Sequence, residues 1–248
     1  MLSPTELIFV LSAIAIAGGV KGVFGIGFPT TAIALSSILI DARLAVTLVT
    51  LPILSTNTLQ IFFGPNPADI FRRYWKLLAL MMPIALVVAF LSTEVPTTIL
   101  TVIIALMIIA FALVSMTQWA PRIPERLDGP AQLTTGAVSG VVAGLTLLWA
   151  PPMMVYLLSR QVDRKELIGV LGLTLGVGTL PVLVGYVANG NLTGSTLTLS
   201  ALLVPVAVIP QVLGELVGRR IAPQRFRGYL LWMFLIFGFV LLARGVFF

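Results

Sequence analysis

Lys21 is the one charged residue between Leu7 and Ile40, and four residues after it the chain reads Gly25-Ile-Gly27-Phe28-Pro29. A cation inside an apolar stretch is costly in a membrane and marks a functional site by default; the competing reading is a lysine whose long stem lets the ammonium snorkel to an interface. Glycine and proline at this spacing stop one helix and start another, and proline suits the first turn, where its missing N–H is no loss. The N–H groups of Phe28, Thr30 and Thr31 are then free at a helix N-terminus, which carries partial positive charge and binds anions. A second break follows at Leu147-Leu-Trp149-Ala-Pro151-Pro152 and predicts a second N-terminus entering from the opposite side. Two such ends meeting near the midplane form a cradle for an anion, with Lys21, Gly25, Gly27, Phe28, Pro29, Thr30 and Thr31 on one wall. Trp149, Pro151 and Pro152 make the other, where Trp149 either lines the site or marks a helix interface.

Hydrogen-bond donors for a tetrahedral oxyanion are available in the following spans. Thr56, Asn57, Thr58 and Gln60 cluster in mid-span, Thr179 is the counterpart of Asn57, and Gln211 lies in a later span. Such groups also join helices or satisfy neighbouring backbone. The chain contains no cysteine and no histidine, which excludes disulfides, thiol catalysis and the commonest metal ligand and general base. Asp41, Asp69, Glu94, Glu125, Asp128, Asp163 and Glu166 fall at loops or span ends, and Glu215 ends a span. Asp41 and Asp163 read as helix caps. No carboxylate relay is evident, and no catalytic residue, cofactor or metal is expected. An exported anion does not require a relay, because with the inside negative each outgoing charge gains about 2.3 kcal/mol per 100 mV.

The elements that position these residues follow from composition. The chain of 248 residues is 58% hydrophobic and 10% charged, against about 25% charged for a soluble domain. Its mean hydropathy is +1.09. The apolar runs are long and lack the alternation of barrel strands. The fold class is therefore an all-α polytopic membrane protein. The net charge of +6 sits between apolar spans, which favours a membrane over nucleic acid. No basic residue precedes Lys21, so a cleaved signal peptide is not expected.

A fixed offset of 122 residues superimposes Gly18 on Gly140, Gly22 on Gly144, Pro29 on Pro151 and Asp41 on Asp163. Ala79-Leu80, Pro83 and Ala85 fall on Ala201-Leu202, Pro205 and Ala207 at the same offset. The chain thus reads as two repeats, 1–120 and 121–248. The first holds a hairpin at 5–40 and helices at 44–63, 77–92 and 97–117. The second holds a hairpin at 131–159 and helices at 166–188, 196–213 and 228–247. Glycine and proline interrupt the first segment of each, a pattern that points to a substrate site in transporters.

Charge decides how those first segments run. If each enters, turns and returns to its own side, then Arg72, Arg73, Lys76, Arg122, Arg126, Arg160, Arg164, Lys165, Arg219, Arg220, Arg225 and Arg227 share one side. That is twelve of the fifteen basic residues, and this side is cytoplasmic by the positive-inside bias. Both termini are then outside and the repeats are inverted, each a broken or re-entrant helical hairpin followed by three transmembrane helices. From Pro29 to Ile40 is 12 residues, about 18 Å as a helix, too short to cross. One long tilted or kinked helix per segment is the alternative.

The run Gly18-x-x-Lys21-Gly22-x-x-Gly25-x-Gly27-x-Pro29, repeated in degraded form after Gly136, resembles the TauE/SafE family of sulfite exporters and toluene-sulfonate permeases. The likeness covers nearly the whole chain. It implies a transporter of sulfite, organosulfonates and related sulfur oxyanions, exporting from the bacterial inner membrane, with its site at Gly22–Pro29 and Trp149–Pro152. This chain departs from the family's Gly-Gly-Gly run: Phe28 stands inside the first turn, and Leu147–Pro152 contains no glycine. The expected function is a secondary transporter working by alternating access around a midplane site. A channel-like anion uniporter and a membrane-embedded lipid-phosphate enzyme are the alternatives, the latter lacking a visible base or nucleophile. The expected partners are a small anion, a proton as the candidate coupling ion, and the lipid bilayer, with a homodimer the candidate oligomer and no nucleic acid.

Overall fold

A computed structural model describes residues 2–63, 66–118, 120–218 and 224–247. The described chain is helical, in the order α1 (Pro4–Phe24), α2 (Phe28–Ser36), α3 (Ala42–Phe63), α4 (Pro67–Leu91), α5 (Thr97–Thr117), α6 (Asp128–Thr146), α7 (Ala150–Ser159), α8 (Arg164–Ala188), α9 (Gly194–Gly218) and α10 (Gln224–Phe247). Seven of these, α1, α3, α4, α5, α8, α9 and α10, are long and apolar enough to cross a membrane. Large apolar side chains such as Val184, Leu202, Ile209, Trp232 and Phe239 stand exposed on the bundle, as lipid-facing residues must. The protein is a multi-pass helical membrane protein.

Both first segments break where glycine and proline predict, and the breaks are built alike. Ser3 and Glu6 form a reciprocal capping box that starts α1, with Pro4 in its first turn. The helix ends at Gly25, whose φ of 79° is left-handed and whose N–H bonds the carbonyl of Lys21 at 2.7 Å. Gly27, at φ 95°, then turns the chain into α2. In the second segment Leu147 takes the place of Gly25: its φ is 57° and its N–H bonds Ala143, the counterpart of Lys21, at 3.0 Å. A left-handed leucine is strained by about 1–2 kcal/mol.

Gly18, Gly22, Gly140 and Gly144 do not interrupt helices, contrary to the sequence expectation. They are flat contact faces. A Cβ on Gly18 would strike the carbonyl oxygen of Ala207 on α9, and one on Gly22 that of Gln211. A Cβ on Gly140 would lie 2.8 Å from the Met81 carbonyl oxygen of α4, and one on Gly144 2.6 Å from the Ala89 nitrogen. Small residues four apart let helix backbones approach this closely inside a membrane. The pairing rises together along both helices, so α1 runs in the same direction as α9, and α6 in the same direction as α4. The halves thereby exchange partners, with α1 seated on the second half and α6 on the first.

The two ends of the bundle differ. At one, Arg73 pairs with Glu166 at 2.7 Å and Arg160 with Asp128 at 3.0 Å, and Tyr74 and Tyr156 donate to the same two carboxylates. At the other, Arg43 donates to the carbonyls of Ser92 and Val95, and Arg244 to those of Ser37 and Ile38. Asp41 and Asp163 accept from the N–H of Leu44 and Glu166, capping α3 and α8.

Helix limits outrun the apolar stretches. The helix expected at 77–92 begins ten residues earlier, at Pro67, because Asn66 caps it and Pro67 occupies its first turn. A non-helical residue, Tyr74 (φ −112°, ψ 16°), separates this polar start from the apolar rod, so Arg72, Arg73 and Lys76 ride on a helix rather than in a loop. The α9 helix continues past 213 to Gly218, and α10 starts at Gln224 instead of 228. Arg219 and Arg220, and the side chains of Arg164, Arg225 and Arg227, lie outside the described residues. Gly22→Ala is expected to destabilise the protein by about 1–3 kcal/mol, read as a lowered unfolding temperature in detergent. Gly19→Ala, where a Cβ meets nothing within 4 Å, should leave that temperature unchanged.

Candidate functional site

The last turn of α1 carries Lys21 into the interior, where it is 3% exposed. Its ammonium donates a short hydrogen bond to Oδ1 of Asn57 and a longer one, 3.5 Å, to Oγ1 of Thr56. Both acceptors are neutral, and Lys21 takes no part in an ion pair among the described residues. Asn57 is oriented by its own helix, since its Nδ2 donates to the Ile53 carbonyl at 2.7 Å. Thr56 is held through its backbone: Gln211 Nε2 of α9 donates to the Thr56 carbonyl at 3.1 Å.

The position of that helix is set one turn earlier. Pro52 lies inside α3 and supplies no N–H to the Leu48 carbonyl. Ser200 of α9 takes over, donating to the Leu48 carbonyl at 2.8 Å and accepting from the Leu51 N–H at 3.3 Å. The proline bend is thus sewn to α9, the same helix on which Gly18 and Gly22 seat α1. Lys21 and Asn57 meet because their helices share this support.

The two breaks satisfy their carbonyls with different partners, and each leaves N–H groups without an acceptor among the described residues, those of Trp149 and Ala150 at the second. At the second, Tyr186 of α8, 2% exposed, donates to the carbonyls of Gly144 and Leu145 at 3.0 and 3.4 Å. Thr146 Oγ1 accepts from the Leu148 N–H at 3.2 Å. Pro151 and Pro152 occupy the first turn of α7 and have no N–H to offer. At the first break, the N–H groups of Phe28 and Thr30 find no acceptor among the described residues. The N–H of Thr31 is not free as expected: it closes the first turn onto the Gly27 carbonyl at 3.0 Å, and its hydroxyl bonds the same oxygen at 2.8 Å.

Seven of the expected residues, Lys21, Gly25, Gly27, Phe28, Pro29, Thr30 and Asn57, line one cavity of about 10 Å³. That is close to the least volume that holds a single water, so the site is closed around its own side chains. Gln211 reaches it only through Thr56. Thr179 is buried and turned to its own helix, donating to the Leu175 carbonyl. Trp149 is fully buried, its indole N–H has no partner among the described residues, and its ring lies beside Gly178. Neither Trp149 nor Pro151 nor Pro152 lines the cavity; Ala150 does. Gln60 lines it too and donates to the Ile168 carbonyl of α8 at 2.8 Å. Positions 53, 56, 57 and 60 share one helix face, the sequence signal that links Thr56 and Gln60 to Asn57. Ile26, Leu171 and Leu175 carry no chemical signal.

A larger cleft of about 350 Å³ adjoins the cavity, and Ile26 and Gly27 belong to the walls of both. It is walled mainly by apolar side chains, among them Phe24, Phe111, Met154, Leu158, Ile168 and Phe234. Gln118, Val162 and Leu167 place its mouth at the end of the bundle that carries the Arg160–Asp128 pair. Ile26 and Gly27 form a partition between this cleft and the cavity of the buried ammonium.

Tyr186→Phe is expected to lower stability by about 1–2 kcal/mol, because it strips two buried carbonyls of their donor. Anion affinity, measured in the same detergent preparation, should stay within about twofold, since Tyr186 does not line the Lys21 cavity.

No curated protein and no solved structure matches the chain. The model of the family described as sulfite exporter TauE/SafE matches residues 10–241, which takes in both breaks, Lys21 and all seven long apolar helices in whole or in large part. The chain belongs to the sulfite exporter TauE/SafE family, and it is a membrane transporter rather than an enzyme.

Proposed function

We propose that this chain moves a small sulfur oxyanion, sulfite or a short organosulfonate, outward across the bacterial inner membrane by alternating access. The observation that carries the reading is Lys21: a buried ammonium held only by neutral oxygens, beside the open N–H groups of Phe28 and Thr30. Protonated, Lys21 adds positive charge to these unsatisfied donors, and an anion would gain from both. Thr56 and Asn57 donate to the Ile53 carbonyl and turn their side-chain oxygens to Lys21, so they orient the ammonium that meets the oxyanion.

The repeats 1–120 and 121–248 are inverted in this reading. The α1–α2 pair enters from the sparsely charged end, and α6–α7 from the end with Arg73, Arg160 and their carboxylates. Arginine and lysine crowd the second end, which makes it cytoplasmic and puts both termini outside. The cleft then opens inward and the partition at Ile26–Gly27 is the inner gate. A closed cavity of about 10 Å³ supports a carrier that occludes its substrate over an open channel.

In proteoliposomes the protein is expected to carry labelled sulfite or ethanesulfonate, and Lys21→Met to reduce the flux at least tenfold without loss of folded protein. Removing a buried charge together with its polar demand often leaves stability unchanged or raises it. Undiminished flux in Lys21→Met would overturn the site. Single cysteines introduced as Asp41→Cys and Asp163→Cys should react with an impermeant reagent from opposite sides of the membrane. Labelling from one side would contradict the inverted arrangement.

A further inference from the structure

We infer that Lys21 carries a proton together with the anion, so that a monovalent substrate crosses as an electrically neutral pair. The inference rests on the anion site proposed above and concerns what the site does when empty. With substrate bound, the ammonium faces an anion and the enclosed charge sums to zero. Without it, the ammonium would be sealed in a closed cavity against Asn57 and Thr56 alone, an uncompensated charge in the membrane interior. The carrier must close around the empty site to return. It does so with Lys21 as a neutral amine, whose two remaining N–H groups still donate to the same oxygens without a charge to bury.

Among the described residues, no ion pair joins Lys21 to a neighbouring element. On α2 there is no titratable residue, and on α3 there is only Arg43, bound to carbonyls at the far end. On α8 the first turn holds Lys165 and Glu166, the latter engaged by Arg73 and Tyr74. On α9, packed against α1, Glu215 follows Gln211 by one turn and is not bonded to Lys21. The proton therefore has to arrive and leave with the substrate. It is taken from water on the side where the anion enters, held on Nζ during the crossing, and released to water on the other side as the anion leaves. One proton and one monoanion move in the same direction. Transport then follows the anion gradient and the pH gradient, and the membrane potential drops out.

The test uses the full chain in proteoliposomes with labelled sulfite and labelled ethanesulfonate, the latter carrying no titratable proton near neutral pH. The expected result is co-directional proton movement, one per ethanesulfonate, and a flux of either anion that changes less than twofold under an imposed potassium diffusion potential. Lys21→Arg, permanently charged, is expected to keep anion-for-anion exchange while net flux falls at least tenfold, because the loaded carrier crosses and the empty one cannot return. Flux that follows the membrane potential without proton movement overturns the inference, as does net flux of wild-type size in Lys21→Arg. Wild-type protein that carries neither anion overturns the functional reading itself, an outcome distinct from carriage without protons.

Discussion

Backbone N–H and C=O groups freed at Gly25–Gly27 and Leu147–Trp149 find no water in a hydrocarbon core, and the packing is arranged around that constraint. Each break is buried by neighbouring helices, and the glycine faces make the burial close. Gly18 and Gly22 press α1 onto the α9 backbone, and Gly140 and Gly144 press α6 onto α4. Ser200 repairs the carbonyl that Pro52 leaves open and Tyr186 repairs those at the end of α6. Among the described residues, N–H groups stay open at both helix starts, those of Phe28 and Thr30 on α2 and those of Trp149 and Ala150 at α7, and only the α2 start has Lys21 on its own segment.

The two breaks are thus alike in scaffold and different in chemistry. Gly25 and Leu147 make the same left-handed cap and the same hydrogen bond one turn back. Beyond that bond the copies part. Lys21 faces Asn57 where the second half has Ala143 and Thr179, and α2 opens with one proline where α7 opens with two. The second break is filled by Trp149 and closed by Tyr186, which makes it a rigid wall. The buried cation lies at the first break, and Ile26 and Gly27 line both its cavity and the adjoining cleft.

Much of this was legible in residue types and spacing. Glycine and proline located both breaks, and the charge-free run around Lys21 singled out the cation. The offset of 122 paired Asn57 with Thr179 and both Asp caps. Four features were not legible. Glycines four apart look alike whether they break a helix or seat one, and only the partner backbone distinguishes the two. Whether Thr31 or Phe28 keeps a free N–H depends on where the first turn closes, a matter of one residue. The aromatic at the second break announces bulk but not direction, so Trp149 read equally as a lining residue or a helix-interface residue, and its ring turns toward Gly178. The early start of α4 was hidden because its first turns are polar and a bend at Tyr74 interrupts the helical pattern.

The central claim is that an oxyanion sits between Lys21 and the N-terminus of α2. The most direct measurement is anomalous diffraction from crystals soaked in selenite, the heavier analogue of sulfite. The expected result is a selenium peak within hydrogen-bonding reach of Lys21 Nζ and the N–H of Phe28, with the partition at Ile26–Gly27 displaced to admit it. A peak at the Trp149 break, or peaks only at the surface arginines with the Lys21 cavity still closed, would contradict it.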